Sequence, residues 1–371
     1  MKKIVLFACA VLSAFTLASC KGKDAPAASS SILTEKLDLS KKVDASNWLD
    51  NLADGKIAAQ QADKKIILFF SADDQDVVSA ALKKTLLTTP DFLQAATAKY
   101  VLVNLDFSNE LYEQSLEDEA LSAKLEANMK IATVYGVQMS PAFYLLTKEG
   151  YVITELQYDG MQTAGTVASF EEEIDAHAEE IVTFETAYAK TTAGTDEEKV
   201  QAIDALYELI DQRQTYVFAP LANQVITLDP KNKTGLVGKY VLAVADAEAT
   251  DAALNNDPET MVAVFEKAAK HKFLNVDEKQ QAYYYAGYFL AGSGNPDYDK
   301  IKDYIQKSYN AAPESERAPQ IANLLTMIDQ RMQETAEMNE NVQVEGAKSA
   351  ATDAPAGESA DDTAANTITL E

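Results

Sequence analysis

The amino-acid sequence predicts an α/β domain, in which helices cover both faces of a mixed sheet, followed by an all-α region of helical hairpins. Two apolar runs without alternation, residues 65–70 and 100–105, are typical of strands buried on both faces. Two more apolar runs flank the turn Lys-Glu-Gly at 148–150, which indicates a β-hairpin. After about residue 195, apolar residues recur only at helical spacing.

The elements of the first region follow from alternating helix and strand signals. Thr89-Pro90 is a helix stop, and Gly136 suits the end of a helix. The order α-β-α-β-α-β-β-α implies a mixed sheet with helices on both faces. The predicted elements are a helix at 48–57, a strand at 65–70, a helix at 77–86, a strand at 100–105, a helix at 117–134, strands at 142–146 and 151–156, and a helix at 167–188.

The second region carries successive amphipathic helices that are separated by proline or glycine. Pairs of helices closed by Asp-Pro or Ala-Pro resemble tetratricopeptide-type repeats, and residues 282–313 are the best copy. The spacing is not regular, so we interpret the region as a divergent helical-hairpin array, with a plain helical bundle as the alternative. The predicted helices cover 200–210, 218–226, 236–244, 261–269, 281–290, 301–311 and 321–332.

The first twenty residues predict export. Lys2 and Lys3 precede an apolar run at 4–17 that is shorter than a membrane span, as in a secretory signal. Leu17-Ala18-Ser19-Cys20 resembles the bacterial lipobox, in which the cysteine is acylated and becomes the first residue of the mature protein. We therefore expect a lipoprotein signal peptide at 1–19 and lipidation at Cys20, with an ordinary cleaved signal as the alternative.

Composition limits the function classes. The net charge of −26 disfavours nucleic-acid binding, because such a surface repels phosphate backbones. The two cysteines are Cys9 and Cys20; the first leaves with the signal and the second is used by the lipid, so neither a disulfide nor a free thiol remains. The predicted organisation is a tether at 20–43, an α/β domain at 44–190, a helical domain at 195–335 and a disordered acidic tail at 341–371.

One stretch of the first region resembles the thioredoxin family in sequence as well as in element order. Secreted thioredoxin-like proteins often read Phe-Thr-Gly-Ser-Asp-Trp-Cys-x-x-Cys, followed by a helix that ends Ser-Thr-Pro-Glu-Phe. Here residues 70–79 read Phe-Ser-Ala-Asp-Asp-Gln-Asp-Val-Val-Ser, and residues 88–92 read Thr-Thr-Pro-Asp-Phe. The resemblance places Asp76 at the position of the nucleophilic cysteine and Ser79 at that of the resolving cysteine. Neither side chain can exchange a disulfide.

The acidic segment at 73–76 has two interpretations. Its three carboxylates suggest a calcium site, but the segment lacks the alternating ligands and the distal glutamate of a calcium loop. We favour helix capping by Asp73 or Asp74. Asp76 as an acid or base is the enzymatic alternative.

The resemblance also places Met139-Ser140-Pro141 at the family's cis-proline. In that family the residue before the proline offers its backbone to an extended peptide, so Ser140 and Pro141 are candidates for peptide binding by strand addition. The equally weighted alternative is that the fold needs a turn there.

Aromatic and histidine residues give weaker signals. Three successive tyrosines in a helix cannot all face inward, so Tyr283, Tyr284, Tyr285 and Tyr288 are candidates for an interaction surface. His177 and His271 are far apart in sequence, and we predict surface or capping roles for them rather than a metal or catalytic site. No cofactor and no metal is expected.

These patterns together predict a non-catalytic adaptor that binds an unidentified protein or peptide of the bacterial cell envelope. The membrane would be contacted through the lipid, and Lys21 suits sorting to the outer membrane, facing the periplasm. Two alternatives stay open: a chaperone that works without redox chemistry, and an enzyme that uses Asp76.

Overall fold

The computed structural model describes residues 36–72, 77–157, 165–292 and 297–352, with side chains described as far as residue 337. The first region contains helices α1 (Leu52–Ala62), α2 (Val77–Leu82), α3 (Pro90–Lys99), α4 (Asn109–Ser115), α5 (Glu119–Val134), α6 (Val167–Ala176) and α7 (Ala178–Lys190), and strands β1 (Lys65–Ser71), β2 (Tyr100–Asp106), β3 (Ala142–Leu146) and β4 (Val152–Leu156). The second region contains α8 (Asp196–Tyr207), a 3₁₀ helix (Gln212–Phe218), α9 (Ala219–Leu228), α10 (Val237–Leu254), α11 (Pro258–Ala269), α12 (Val276–Ala291), α13 (Tyr298–Ala311) and α14 (Ala318–Thr352).

The four strands form one mixed sheet in the order β2-β1-β3-β4. β1 and β2 are parallel, with Ser71 paired to Asp106 at their carboxyl ends. β3 runs antiparallel to β1, with Ala142 opposite Phe70, and β4 completes the hairpin. The predicted α/β fold with a mixed sheet, followed by an all-helical region, is confirmed.

The helices of the first region differ from the prediction in three places. Pro90 opens a helix, α3, that the prediction missed, because a proline at the first helical position lacks only an N–H that would be unpaired there. Thr89 caps this helix by accepting a hydrogen bond from the Phe92 N–H. The short helix α4 was also missed, and the predicted helix at 167–188 is two helices that meet at His177.

The buried core crosses the predicted boundary between the two regions. On the sheet, the rings of Phe69 and Phe143 stack with centroids 4.2 Å apart. Tyr151, which precedes β4, stacks on Phe218 at 5.2 Å, and the same apolar cluster continues to Tyr240 in α10. The 3₁₀ helix and helices α8 to α10 are therefore packed onto the α/β domain.

Beyond α10, each helix packs against the next along the chain, which is the local packing shared by hairpin arrays and bundles. A second core cluster holds Phe265 and Tyr285, and a third holds Ile305 and Ile321. Helix α14 continues to Thr352, past position 341, where the tail was predicted to begin. In the described ranges no helix has both the length and the apolar character of a membrane span.

Candidate functional site

The candidate site lies at the edge of the sheet where the two parallel strands end. Ser71 ends β1 beside Asp106 of β2, and Pro141 directly precedes β3, whose first residue pairs with Phe70. Helix α2 begins shortly after β1 at the same edge. We call residues 71–72, 77–79, 106–108 and 139–141 the mouth of the domain.

Ser140 and Pro141 present an accessible backbone at the mouth. The peptide bond between them is cis, as the resemblance implies. Ser140 is half-buried, and its N–H and carbonyl have no hydrogen-bond partner among the residues that the structure describes. An extended peptide needs such free donors and acceptors to add as a strand.

The structure describes one of the two positions that align with the family's cysteines. Ser79 lies in α2 and is completely buried, at 0% exposure, so its hydroxyl is not offered to a ligand. Asp76 lies outside the described residues, as do the rest of the acidic segment at 73–76 and Cys20.

The polar side chains at the two strand ends, Ser71 and Asp106, have partners. The Asp106 carboxylate accepts hydrogen bonds from the Ser108 N–H at 3.1 Å and its Oγ at 3.0 Å, and Lys83 Nζ lies 4.0 Å away. The Ser71 Oγ donates to Asn104 Oδ1 at 2.9 Å. These pairs hold the strand ends in place, and none of them forms an activated nucleophile with a base.

Large apolar side chains are exposed around this edge of the domain. Val77 at the start of α2 is 83% exposed and Met139 is 77% exposed. Leu116 and Tyr112 are also exposed, and they lie at the end of and within α4, which follows β2. Exposed apolar groups beside a free backbone are typical of a surface that binds another chain.

A cavity of about 390 Å³ lies away from the mouth, beside β4 and α7. His177 stands at its wall between α6 and α7, with Nδ1 2.9 Å from Glu180 Oε2 and Nε2 3.2 Å from Glu173 Oε1. Thr154 of β4 donates to Glu180 at 2.8 Å. Burial lowers the pKa of His177, but the hydrogen bonds that its ring donates to Glu180 and Glu173 outweigh burial, and the pKa is raised.

This arrangement was not predicted, although Glu173, His177 and Glu180 have the spacing of neighbours on a helix face. His177 is neither a simple cap nor a surface group, because it joins two helices to the edge strand. His271 lies beside α11 and contacts Phe273 with a ring-centroid distance of 5.6 Å. Across the described part of the chain, no three or more His, Cys, Asp or Glu converge as metal ligands.

The tyrosine cluster divides as the helix geometry requires. Tyr285 is buried and packs against Phe265 with centroids 5.2 Å apart, so it is a core residue. Tyr283, Tyr284 and Tyr288 are half-buried, and the last two stack at 6.2 Å. The prediction that not all of these tyrosines face inward is confirmed.

Comparison with known proteins supports the two regions separately. A family model described as "Thioredoxin-like domain" matches residues 52–175, and one described as "Uncharacterised protein C-terminal domain" matches residues 236–334. A Treponema pallidum (strain Nichols) protein, described as "Uncharacterized protein", is 22% identical over 239 residues, which cover 63% of this chain and 75% of that protein. A solved structure titled "DsbH Oxidoreductase" is 20% identical with a TM-score of 0.28, and the match covers 37% of this chain and 90% of that one. The α/β region is thus a thioredoxin-like domain.

Proposed function

We propose that the chain is a lipid-anchored, redox-inactive thioredoxin-like protein that binds proteins or peptides in the bacterial cell envelope without catalysing a reaction. Its cysteines are Cys9 and Cys20, so no thiol follows the proposed lipidation site. Disulfide exchange proceeds through a thiolate, which residues 21–371 cannot supply. In this proposal the thioredoxin-like domain keeps the surface that binds a peptide and lacks the thiols that would react with it.

The observation that carries this proposal is the backbone of Ser140. Its donor and acceptor lack partners within the described ranges, and it lies at the end of the sheet beside exposed Met139. Main-chain hydrogen bonds would provide affinity for an extended peptide, and the apolar side chains around the mouth would select its residues.

The helical region would act as the second part of the adaptor. We propose a divergent hairpin array of the tetratricopeptide type, in which half-buried Tyr283, Tyr284 and Tyr288 contribute to a protein-binding surface. Tyrosine suits such a surface because its ring is large and its hydroxyl bonds to polar partners.

A photo-crosslinking residue at Met139 tests binding at the mouth. The form comprising residues 21–371 is incubated with envelope extract of its own bacterium and irradiated. The matched control carries the same crosslinker at Val276, which is 60% exposed in the helical region. We expect discrete adducts from position 139 that position 276 does not give.

Two substitutions at Ser140 then distinguish binding through the backbone from nonspecific binding. Ser140→Pro removes the N–H donor and should abolish the adducts, whereas Ser140→Ala keeps the donor and should retain them. Fluorescence of Trp48, the one tryptophan, confirms that both variants are folded. Absence of adducts, equal adducts from both crosslinker positions, or adducts that survive in folded Ser140→Pro would refute the proposal.

A further inference from the structure

The cavity beside β4 and α7 is formed by segments from both regions of the chain. Ile153 of β4 and Phe184 of α7 contribute to its lining, and so does Leu209, which lies between α8 and the 3₁₀ helix. Its volume of about 390 Å³ is within the range of pockets that bind small molecules. Such pockets are often found where two domains meet. The cavity therefore has the size and the position of a small-ligand site.

The apolar part of the lining combines buried residues with an exposed one. Ile153 and Phe184 are 5% and 4% exposed and belong to the core that the two regions share. Leu209 is 50% exposed, although it lines the same cavity. A large apolar side chain that is left in water contributes little to folding, whereas an apolar ligand in the cavity would cover it. The cavity can therefore hold the apolar body of a ligand.

The polar part of the lining is acidic. Glu179 and Glu180 of α7 line the cavity together with His177, and of the described residues no lysine or arginine does. Glu180 is held in place, since it accepts from Thr154 Oγ1 at 2.8 Å and its Oε2 lies 2.9 Å from His177 Nδ1. Glu179 is exposed, and the described part of the chain gives its carboxylate neither a hydrogen bond nor an ion pair. One carboxylate at the cavity is therefore free to receive a ligand.

The charges around the cavity select the sign of the ligand. Glu179 and Glu180 carry two negative charges, and Glu173, whose Oε1 lies 3.2 Å from His177 Nε2, adds a third. His177 supplies at most one positive charge, so the surroundings stay negative in either protonation state of the ring. A cation is attracted to such a site and an anion is repelled. Because the described groups do not converge as metal ligands, the cation they suit is an organic one.

We propose that this cavity binds a small organic cation with an apolar body, such as an aromatic primary amine. The ammonium pairs with the Glu179 carboxylate, and Glu180 adds its negative charge. The apolar body lies against Phe184 and Leu209. A charge-assisted hydrogen bond gives the ammonium its specificity, and removal of the exposed Leu209 side chain from water adds affinity.

This site goes beyond the function proposed for the mouth and is independent of it. The probe is 4-fluorophenethylamine, titrated with the form comprising residues 21–371 and followed by ¹⁹F nuclear magnetic resonance. The salt concentration is about 0.15 M, at which long-range attraction between ions is screened. A ligand of about ten non-hydrogen atoms reaches a Kd of about 1 mM at ordinary ligand efficiency, and we expect saturable binding in this range.

Two matched ligands separate the charge from the apolar body. The alcohol 2-(4-fluorophenyl)ethanol has the same body without a charge, and methylamine, measured by competition with the probe, has the ammonium without the body. Each should bind at least about tenfold more weakly than the probe, because each lacks one of the two contacts.

The acidic surface attracts any cation, so the decisive comparison of variants keeps the total charge equal. Glu179→Gln should weaken binding of the probe at least about fivefold, because it removes the carboxylate that pairs with the ammonium. Glu259→Gln removes the same charge from the exposed first turn of α11 and should change the Kd less than about twofold. Both residues are exposed, and circular dichroism confirms that both variants are folded.

A second pair of variants tests the apolar contact. Leu209→Ala should weaken binding at least about threefold, because it shortens the side chain that the ligand covers. Met327→Ala is the matched control: Met327 is 63% exposed and lies in α14, so the Kd should stay within about twofold of the parental value.

Three results would overturn the proposal. The first is no saturable binding of the probe up to about 10 mM. The second is equal affinity for the amine and the alcohol, and the third is an equal effect of Glu179→Gln and Glu259→Gln. Ser140→Pro should leave binding of the probe unchanged, which keeps this result separate from the test of the mouth.

Discussion

The mouth of the thioredoxin-like domain and the helical region treat their buried polar groups in opposite ways. At the mouth, the side chains of Ser71 and Asp106 each have a partner, and what stays unpaired is the backbone of Ser140. In the helical region, the groups that lack a partner among the described residues are side-chain atoms, the Asp246 carboxylate and Gln281 Nε2.

The two regions therefore leave different groups without partners. A free backbone at the mouth suits the main chain of an extended peptide and tolerates different side chains. A buried polar side chain without a partner instead lowers stability.

Phe218→Ala tests whether the two regions are separate at all. Phe218 is completely buried and packs on Tyr151 beside the sheet, so truncation should lower the free energy of unfolding by about 3–5 kcal/mol. Because the core is shared, the loss should appear both in the fluorescence of Trp48, which packs on Phe69, and in far-ultraviolet circular dichroism.

Phe265→Ala is the matched control for this prediction. Phe265 is equally buried but belongs to the outer cluster of α10 to α12. Its loss should shift the circular dichroism transition more than the Trp48 transition. If Phe218→Ala left the Trp48 transition at its parental denaturant concentration, the shared core would not couple the regions.

Asp246→Asn should stabilise the protein at neutral pH. The pKa of Asp246 is raised from 3.8 to about 6, so the folded protein holds this proton more tightly than the unfolded chain. The stabilisation from this bound proton is complete below pH 3.8 and is lost as the pH rises through about 6. The loss lowers the free energy of unfolding by at most about 3 kcal/mol.

Urea unfolding of parent and variant between about pH 4 and pH 8 measures this effect. The free energy of unfolding of the variant should increase relative to that of the parent as the pH rises to about 6, and the difference should then stay constant. Tyr285, whose pKa burial and the Asp246 carboxylate raise above 10.0, does not ionise in this range. A difference that does not depend on pH would mean that Asp246 has its ordinary pKa.

Gln280→Leu and Gln281→Leu compare neighbouring amides, one paired and one unpaired. The first leaves the Ala312 carbonyl and Ser315 Oγ without their partner, so unfolding free energy should fall by about 1–3 kcal/mol. The second removes an unpaired group and should be neutral or stabilising. Similar losses in both variants, measured by urea unfolding, would show that Gln281 has a structural partner.

His177→Gln should give the smallest effect. Hydrogen bonds donated by the His177 ring to Glu180 and Glu173 raise the pKa of His177 above 6.5 despite its burial. Its contribution to stability is therefore present below pH 6.5 and lost as pH rises through the raised value. We expect the variant to lose about 0.5–1 kcal/mol at pH 6 and to match the parent at pH 9.

Thermal unfolding at the two pH values checks the prediction for His177. His271→Gln is the control, since burial lowers the pKa of His271 and its protonation does not favour folding. A loss in His177→Gln that is as large at pH 9 as at pH 6 would assign it to packing rather than to charge.

Local sequence patterns were enough to predict the strands, the hairpin and the helical second region, and composition showed that no cysteine follows Cys20. Runs such as 65–70 are apolar on both faces, and this property fixes a buried strand whatever its neighbours are. The position of Ser140-Pro141 before β3 also followed from the local pattern. The number of helices around Pro90 did not, because proline both ends and begins helices.

The pairing of polar groups depends on tertiary contacts. Gln280 and Gln281 have the same side chain and are neighbours in sequence, yet their directions around α12 differ by about 100°. One therefore meets Ala312 and Ser315, and the other meets no acceptor in the described part of the chain. The burial of Ser79 and the pairing of His177 were likewise decided by contacts between distant segments, which local sequence patterns do not encode.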